Sequence, residues 1–253
     1  MFSKAIVRKP SKSMVKGLTS ASLGKPDYAR ALIQHAEYVK ALVQCGLEVK
    51  TLAADEQFPD STFVEDVALL TPDCAIITNP GAESRKGETL AIQKVIQTFY
   101  TDIEKIEAPG TMDAGDVMMV GRHFYIGLSG RTNQKGARQL IAILEKYELS
   151  GSTIELNNVL HLKTGAAYLE NNTLAVCGEF VSKQEFEGFT KIVIPGSESY
   201  AANCVWINDR VILPAGHPQS CELLKQAGYE VIEVDVSEFE KLDGGISCLS
   251  LRF

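Results

Sequence analysis

The sequence lacks a run of about 18 consecutive apolar residues, the length that a membrane-spanning helix needs. It also lacks an excess of basic residues, since 25 Lys and Arg stand against 32 Asp and Glu, a formal net charge of −7. Nonspecific nucleic-acid binding needs the opposite balance. The opening residues, MFSKAIVRKP, contain no apolar core of a secretory signal. We therefore expect a cytoplasmic protein with neither a membrane nor a nucleic-acid partner.

The six cysteines form no CxxC pair, and no Cys/His set has the spacing of a zinc site. Cytoplasmic cysteines are usually reduced, and most of these should be small core residues. The sequence equally lacks GxGxxG, GxxxxGK[ST], HExxH and GxSxG motifs. Nucleotide-dependent enzymes, zinc proteases and serine hydrolases therefore have no support in it. We predict no cofactor and no bound metal.

The chain shows a loose internal repeat and no domain boundary. No linker rich in Ser, Gly or Pro divides the chain, so we expect one domain over residues 1–253. Each repeat contains two short apolar strands, a turn, a helix and a closing strand. In the clearest repeat, residues 204–213 form two strands around Asn208-Asp209, and a helix follows between Pro218 and Gly228. Comparable polar starts lie 50, 48 and 39 residues apart, at Asp66, Asp116, Thr164 and Asn203. Five such modules without a linker favour radial packing over a single sheet of similar units.

The longest predicted helix runs from about Tyr28 to Cys45 and stops at Gly46. Four apolar residues recur at helical spacing and are expected to form its buried stripe: Leu32, Ala36, Val39 and Val43. The repeat with Asn171-Asn172 at its turn leaves room for only a short helix.

Three acids cluster in PDSTFVEDV, residues 59–67, namely Asp60, Glu65 and Asp66. On a strand, Glu65 and Asp66 would point to opposite faces, so one of them would point inward. A carboxylate forced inward needs a cationic partner. The alternative is a turn with a solvated edge, and composition alone favours that alternative.

Two further segments contain candidate acid–base residues. Asp113 and Asp116 bracket Gly115 where a turn enters an apolar strand. Functional carboxylates are often found at such junctions, although an Asx turn explains the same residues. His161 lies between leucines in VLHLKTG, where a structural histidine is the commoner explanation. A nucleophile nearby would make it a candidate catalyst.

The last candidate segment is DGGISC, residues 243–248. Gly244-Gly245 allows close approach of the backbone to another group, and Cys248 follows three residues later. A core cysteine is the simplest explanation, because a reactive thiolate needs an electropositive or histidine-paired environment. Taken together, the segments provide an acid, a histidine and a cysteine on different repeats, which a closed radial fold would bring to its axis.

These segments, with PGAESRKGE, DAGDVMMVGRHFYIGLSGRTNQ and SYAANC, closely resemble the dimethylarginine dimethylaminohydrolases. The resemblance runs in order from about Ala5 over nearly the whole chain. It implies the five-bladed α/β propeller of ββαβ repeats found in the guanidine-modifying superfamily. It also implies hydrolysis of Nω,Nω-dimethyl-L-arginine and Nω-monomethyl-L-arginine to citrulline through a covalent cysteine S-alkylthiouronium. The partner would be this small-molecule substrate, and a homodimer is one candidate for the oligomeric state.

The resemblance further implies a role for each motif residue. Cys248 corresponds to the nucleophile, His161 to its acid–base partner, and Asp113 to the acid that orients His161, where relatives often have Glu. Substrate binding is implied for Leu18 on a flexible lid, the acids Asp60, Glu65 and Asp66 at the guanidinium, Arg85 and Arg131 at the α-carboxylate, and the backbone near Phe63 and Leu242.

Other functions of the same fold remain as alternatives. Arginine deiminases typically carry a carboxylate two residues after the catalytic histidine and a helical insertion; this chain has Lys163 at that position and no insertion. Amidinotransferases are also longer chains. A non-enzymatic propeller that binds ribosomal subunits would have no reason to combine Cys248, His161 and paired acids.

Overall fold

A computed structural model describes all 253 residues. Fifteen short β-strands form five sheets of three strands each. The strands are β1 (Lys4–Arg8), β2 (Glu48–Leu52), β3 (Ala68–Leu70), β4 (Ala75–Ile77), β5 (Ile103–Lys105), β6 (Val117–Val120), β7 (His123–Leu128), β8 (Ser150–Glu155), β9 (Ala166–Tyr168), β10 (Thr173–Val176), β11 (Thr190–Val193), β12 (Val205–Ile207), β13 (Arg210–Pro214), β14 (Glu230–Val234) and β15 (Leu251–Arg252).

Six α-helices accompany the strands: α1 (Tyr28–Gln44), α2 (Glu88–Ile96), α3 (Gln134–Lys146), α4 (Leu162–Gly165), α5 (Pro218–Gln226) and α6 (Ser237–Glu240). Short 3₁₀ turns lie at Lys12–Lys16, Val64–Val67, Glu83–Arg85, Ala114–Asp116, Gly178–Ser182, Gln184–Phe186, Gly196–Ala202 and Ser247–Leu249. None of the helices combines the length and the apolar character that crossing a bilayer requires.

Every sheet has the same topology. Its middle strand pairs antiparallel with one neighbour and parallel with the other. In the β12–β13–β14 sheet, Ile207 lies opposite Arg210, so Asn208-Asp209 is the two-residue connection that the sequence predicts. The helix α5 then leads to β14, which runs parallel to β13. In the β9–β10–β11 sheet, two 3₁₀ turns stand at the position for which the sequence predicts only a short helix. The predicted ββαβ repeat is therefore present.

The chain divides into two compact units. The first unit contains Met1–Phe63 and Gly165–Phe253, and the second contains Val64–Thr164. Three sheets belong to the first unit and two to the second. Each unit has its own buried core: Tyr38, Leu42 and Phe239 are members in the first, and Met112, Phe124 and Leu140 in the second. A single catalytic domain over 1–253 stays a prediction.

The buried side of α1 differs from the predicted one. Leu32 is 37% exposed and Val43 is 56% exposed, so the predicted stripe is wrong. The buried stripe lies one residue earlier and contains Ala31, His35, Tyr38 and Leu42. The spacing is the same, but hydropathy counts His35 and Tyr38 as polar. The Tyr38 hydroxyl is satisfied inside the core by Ser250 Oγ at 2.6 Å, which allows its ring to be buried there.

Candidate active site

Cys248 lies in the first unit, on the 3₁₀ turn Ser247–Leu249 that follows the two glycines. We call residues 243–249 the Cys248 loop. The cysteine is 8% exposed, and the Gly245 N–H lies 3.4 Å from its Sγ. None of the six cysteines forms a disulfide, so the thiol chemistry that the sequence predicts is available.

Close approaches explain both glycines of the Cys248 loop. A Cβ at Gly244 would overlap the ring of Phe63, and a Cβ at Gly245 would overlap the amide of Asn203. Phe63 is itself held by Phe239, whose ring lies edge-on at 6.3 Å. Phe63 and Leu242, which the sequence analysis places beside the substrate, are both buried in the core of the first unit. Their backbone contribution to a pocket stays a prediction.

The predicted lid, residues 17–27, is tied down by two carboxylates of the first unit. The Leu18 N–H donates to Asp60 Oδ1 at 2.9 Å. The backbone N–H and the hydroxyl of Ser20 both donate to Asp243 Oδ2, at 2.5 and 3.0 Å. The Leu18 side chain remains 40% exposed. Asp60 was predicted at the guanidinium, but the structure uses one of its oxygens to hold the lid backbone; a guanidinium role stays a prediction.

His161 and Asp113 form a buried pair in the second unit. His161 Nε2 lies 3.2 Å from Asp113 Oδ2, and Asp113 is fully buried. The other Asp113 oxygen accepts the Gly81 N–H at 2.9 Å. Arg131 Nη1 approaches Oδ2 at 3.7 Å, and the Arg131 side chain is 23% exposed. This is the geometry that an acid needs to orient the histidine. Asp113 reaches His161 although its side chain is one methylene shorter than the Glu that relatives often have.

The charges around His161 favour its protonated form. Burial alone would lower the pKa of His161, but the hydrogen bond to Asp113 and the charges of Asp66 and Asp116 outweigh it and raise the pKa to about 9. Burial would raise the pKa of Asp113, whereas the hydrogen bond and charge of His161 lower it below its usual range. At neutral pH the pair is therefore an imidazolium with a carboxylate, which can donate a proton.

Asp66 is buried and faces a buried arginine. Arg85 Nη1 lies 2.5 Å from Asp66 Oδ2, while Arg85 Nε and Nη2 donate to Glu88 at 3.0 and 2.8 Å. The Gly115 N–H donates to the other Asp66 oxygen at 3.2 Å. Arg85 is only 4% exposed. In this conformation Arg85 anchors Asp66. To bind a substrate carboxylate, Arg85 would have to give up one of these ion pairs. The predicted role of Arg85 in binding the substrate carboxylate therefore stays a prediction, and its ion pair with Asp66 argues against it.

Glu65 is also buried and pairs with Lys163 Nζ at 2.7 Å. The turn that composition favours is confirmed, because Val64–Val67 is a 3₁₀ turn, and the alternative of a strand is wrong. The solvated edge predicted for this turn is also wrong, since the turn buries Glu65 and Asp66 together. The requirement for a cationic partner nevertheless holds for both acids, since each has one.

Asp116 is a predicted candidate carboxylate for which the family resemblance implies no particular role. It is fully buried, and its Oδ1 accepts the N–H of Leu162, the residue after His161, at 3.0 Å. Its Oδ2 accepts the hydroxyls of Ser129 and Thr132, each at 2.6 Å. Asp116 thereby fixes the backbone that carries the histidine. The polar start of a repeat was the available signal, and it did not reveal this long-range contact.

Ligand-type atoms of Asp66, Asp113 and His161 lie within 4.8 Å of one another, which is close enough to hold a cation. Each carboxylate in this group already faces a cationic side chain, Arg85 for Asp66 and His161 for Asp113. A metal would have to displace these partners. The absence of a metal from the reaction stays a prediction.

Solved structures match this fold over its full length. A structure of the dimethylarginine dimethylaminohydrolase from Pseudomonas aeruginosa, a cysteine-to-serine mutant complexed with citrulline, has a TM-score of 0.99 at 61% identity and covers 100% of both chains. A crystal structure of a histidine-to-glycine variant of dimethylarginine dimethylaminohydrolase, an adduct with S-methyl-L-thiocitrulline, gives the same TM-score, identity and coverage. The fold class is therefore the predicted five-bladed α/β propeller of ββαβ repeats.

Sequence comparison narrows this class to one family. The family model described as N,N dimethylarginine dimethylhydrolase, eukaryotic, matches residues 22–187. The N(G),N(G)-dimethylarginine dimethylaminohydrolase of Pseudomonas aeruginosa is 61% identical over 254 residues, which are 100% of either chain. The chain belongs to the dimethylarginine dimethylaminohydrolase family.

Proposed function

We propose that this protein hydrolyses Nω,Nω-dimethyl-L-arginine and Nω-monomethyl-L-arginine to L-citrulline plus dimethylamine or methylamine. The observation that carries the proposal is the full-length identity of 61% to a dimethylarginine dimethylaminohydrolase. The citrulline complex and the S-methyl-L-thiocitrulline adduct of the matching structures support the same substrate class. The enzyme would act as a hydrolase on a linear amidine.

In the proposed first step, the thiolate of Cys248 adds to the guanidinium carbon. Resonance makes this carbon a poor target for water, and a thiolate divides the reaction into two easier steps. The bond to the methylated nitrogen then breaks, and that nitrogen takes a proton from His161 and leaves as the amine. The product of this step is an S-alkylthiouronium on Cys248. The pKa of about 9 supports this assignment, because His161 begins the step protonated.

In the proposed second step, the now neutral His161 removes a proton from water, and the resulting hydroxide equivalent adds to the thiouronium carbon. The carbon–sulfur bond breaks, and the added hydroxyl gives its remaining proton to solvent, where the released amine takes it up. Citrulline leaves, and the thiolate of Cys248 and the protonated His161 are restored. Asp113 keeps the histidine in position through both proton transfers. All atoms of the products come from the substrate and one water.

We further propose that carboxylates hold the substrate guanidinium and keep it protonated, so that its carbon stays electrophilic. Asp66 is the strongest candidate, because Arg85 and the Gly115 N–H fix its orientation. Among the two predicted carboxylate-binding arginines, Arg131 is the more exposed and is the better candidate for the substrate α-carboxylate. Leu18 and the lid would cover the bound amino acid.

The location and organisation are proposed on the same basis. A cytoplasm would keep Cys248 reduced, as the thiolate mechanism requires. We propose one catalytic domain over 1–253. Sedimentation of the purified protein would distinguish a monomer from the candidate homodimer.

The test is a citrulline-release assay on dimethylarginine, monomethylarginine and arginine, with the wild-type enzyme and Cys248→Ser. Serine is a poor nucleophile without deeper activation, so turnover should fall by at least about 10³-fold. Substrate binding, measured by calorimetry, should change little. Cys177→Ser is the matched control, since Cys177 has the same 8% exposure, and it should keep its kcat. Wild-type turnover by Cys248→Ser would refute the mechanism, and a preference for plain arginine would refute the substrate.

A further inference from the structure

The motif SYAANC, residues 199–204, has no role in the mechanism above, although it contributes to the family resemblance. It lies in the first unit at the end of the 3₁₀ turn Gly196–Ala202 and directly before β12. Two of its side chains, Tyr200 and Asn203, reach the Cys248 loop, which is more than 40 residues away in sequence. These contacts suggest what the motif does.

Asn203 grips the residue that precedes the cysteine. Its Oδ1 accepts the Ser247 N–H at 2.9 Å, and its Nδ2 donates to Ser247 Oγ at 3.2 Å. Asn203 is buried, and its amide also occupies the space that a Cβ at Gly245 would need. One side chain therefore fixes both a backbone group and a hydroxyl, and a glycine permits the close approach. A buried N–H without this partner would cost the loop part of its stability.

Tyr200 holds the start of the same loop. Its hydroxyl donates to the Gly244 carbonyl at 2.7 Å. Burial raises the pKa of Tyr200 well above its usual value, so the phenol keeps the proton that this hydrogen bond needs. The Gly244 carbonyl and the Ser247 N–H are thus both held from outside the loop, on either side of Gly245.

Two polar groups of the braced loop lie close to the sulfur of Cys248. The Gly245 N–H points at Sγ from 3.4 Å, and Ser247 Oγ lies 4.0 Å from it. Two adjacent glycines give an unbraced loop a large conformational freedom. A displacement of about 1 Å in a reacting atom can lower a rate by about 10²-fold.

We propose that Asn203 and Tyr200 are positioning residues that hold the Cys248 loop so that the sulfur is aligned for attack. The proposal rests on the proposed function, in which Cys248 is the nucleophile. It assigns the SYAANC motif to the chemistry of the cysteine rather than to packing alone.

The experiment compares four variants: Tyr200→Phe, Asn203→Ala, Asn203→Asp and the control Tyr100→Phe. Tyr100 is matched to Tyr200 because its hydroxyl also donates to a backbone carbonyl, that of Thr71, at 2.9 Å. The readouts are kcat and KM on dimethylarginine, the rate at which iodoacetamide alkylates Cys248, located by peptide mapping, and the melting temperature.

We expect kcat to fall about 10- to 100-fold in Asn203→Ala and at least about threefold in Tyr200→Phe, with KM nearly unchanged. Alkylation of Cys248 should change in both variants, because the sulfur is no longer held. Asn203→Asp should recover much of the lost kcat, since its carboxylate accepts the Ser247 N–H and the Ser247 hydroxyl can turn to donate to it. Tyr100→Phe should keep the wild-type kcat.

Two results would overturn the proposal. One is a wild-type kcat in folded Tyr200→Phe and Asn203→Ala; the other is a loss that follows the melting temperature and leaves the alkylation rate unchanged. Failure of the proposed function looks different: the wild-type enzyme would keep its activity after Cys248 is fully alkylated, and the positioning role would fall with it. If alkylation inactivates the wild type while the variants turn over normally, only the positioning role is wrong.

Discussion

At the scale of single residues, the charge of His161 is set by its neighbours. A buried imidazole on its own would be neutral at pH 7, yet the hydrogen bond to Asp113 and two further carboxylates raise its pKa to about 9. The proposed acid for the leaving amine would therefore be protonated before the substrate arrives. The activity that depends on this proton should persist below pH 9 and decline as the pH rises through that value, because the folded pKa lies above the ordinary 6.5.

Replacing Asp113 with Asn keeps a hydrogen-bond acceptor but removes its charge. We expect the pKa of His161 to fall, and the alkaline limb of kcat/KM to move to lower pH by at least about one unit. The pH–rate profile and the histidine NMR titration both measure this shift. Glu198→Gln is the control, because Glu198 is a buried carboxylate of the first unit that bonds Ser220. An alkaline limb that stays in place would exclude Asp113 from tuning the histidine.

We expect Lys163 to affect substrate choice through Glu65. Its ammonium neutralises that carboxylate at 2.7 Å, so fewer acceptors remain for the extra N–H donors of plain arginine. A dimethylated nitrogen has no N–H, and an unpaired carboxylate facing it would cost roughly 1–3 kcal/mol. We expect wild-type kcat/KM for methylated arginines to exceed that for arginine by at least about tenfold.

The variant Lys163→Gln should narrow this ratio severalfold, because Glu65 is then released to bind arginine. Lys183→Gln is the matched control: Lys183 pairs with Glu179 at 2.9 Å, and both side chains are similarly buried. Steady-state kinetics on the two substrates give the ratio. A ratio that Lys163→Gln leaves unchanged would mean that the ion pair has no part in selectivity.

At the scale of elements, two 3₁₀ turns of the second unit hold the acids. Val64–Val67 carries Asp66, and Ala114–Asp116 provides the Gly115 N–H that bonds it. A Cβ at Gly115 would lie 2.7 Å from Asp66 Oδ1 and 3.0 Å from His161 Nδ1. Packing holds both side chains in place, so neither can move away from the added methyl group without a cost in free energy.

Gly115→Ala should therefore lower kcat by about 10²-fold through displacement of Asp66 or His161. It should also lower the melting temperature by several degrees, because overpacking costs about 1–3 kcal/mol. Gly188→Ala is the control, since nothing lies within 4 Å of a Cβ there. Steady-state kinetics and thermal unfolding test both parts. A fully active Gly115→Ala would contradict this prediction, because it would mean that the turn accommodates a Cβ without displacing Asp66 or His161.

Element boundaries were largely predictable, but orientations were not. The α1 helix begins at the predicted Tyr28 and ends one residue before the predicted Cys45. Its buried side was predicted one residue out of place, because hydropathy cannot know that Tyr38 finds Ser250 across the core. Val64–Val67 is the turn that composition favours, but its burial was not predictable, since the cationic partners Arg85 and Lys163 lie elsewhere in the chain.

At the scale of the whole molecule, the repeat and the family could be recognised from sequence, whereas the partners of the site residues could not. Cys248 and His161 stand out only when their motifs are read together. The contacts of Arg85 with Glu88, of Asp60 with Leu18 and of Asn203 with Ser247 join distant or unremarkable positions. Such contacts depend on how the loops of different elements fold back, and short motifs in one sequence do not reveal that.

The complete reaction should need no metal. The carboxylates that could coordinate one already face Arg85 and His161, and the proposed nucleophile is a thiolate. We expect full activity after exhaustive chelation, and inhibition by Zn²⁺, because soft divalent metals prefer thiolate and imidazole ligands. The measurement is citrulline release before and after dialysis against a chelator. Loss of activity that one particular metal restores would contradict this prediction.

The division into units has a consequence for how such enzymes can be recombined. The second unit is one uninterrupted stretch, Val64–Thr164, whereas the first is made of two pieces. His161 and the acids around it are therefore encoded by one continuous segment, while Cys248 and the lid lie in the flanking sequence. Crossovers at 63/64 and 164/165 between two family members would exchange the proposed proton donor together with Asp66, Asp113 and Asp116. Such a chimera would keep the recipient's proposed nucleophile, so libraries built at these two junctions would exchange the proposed acid–base residues together.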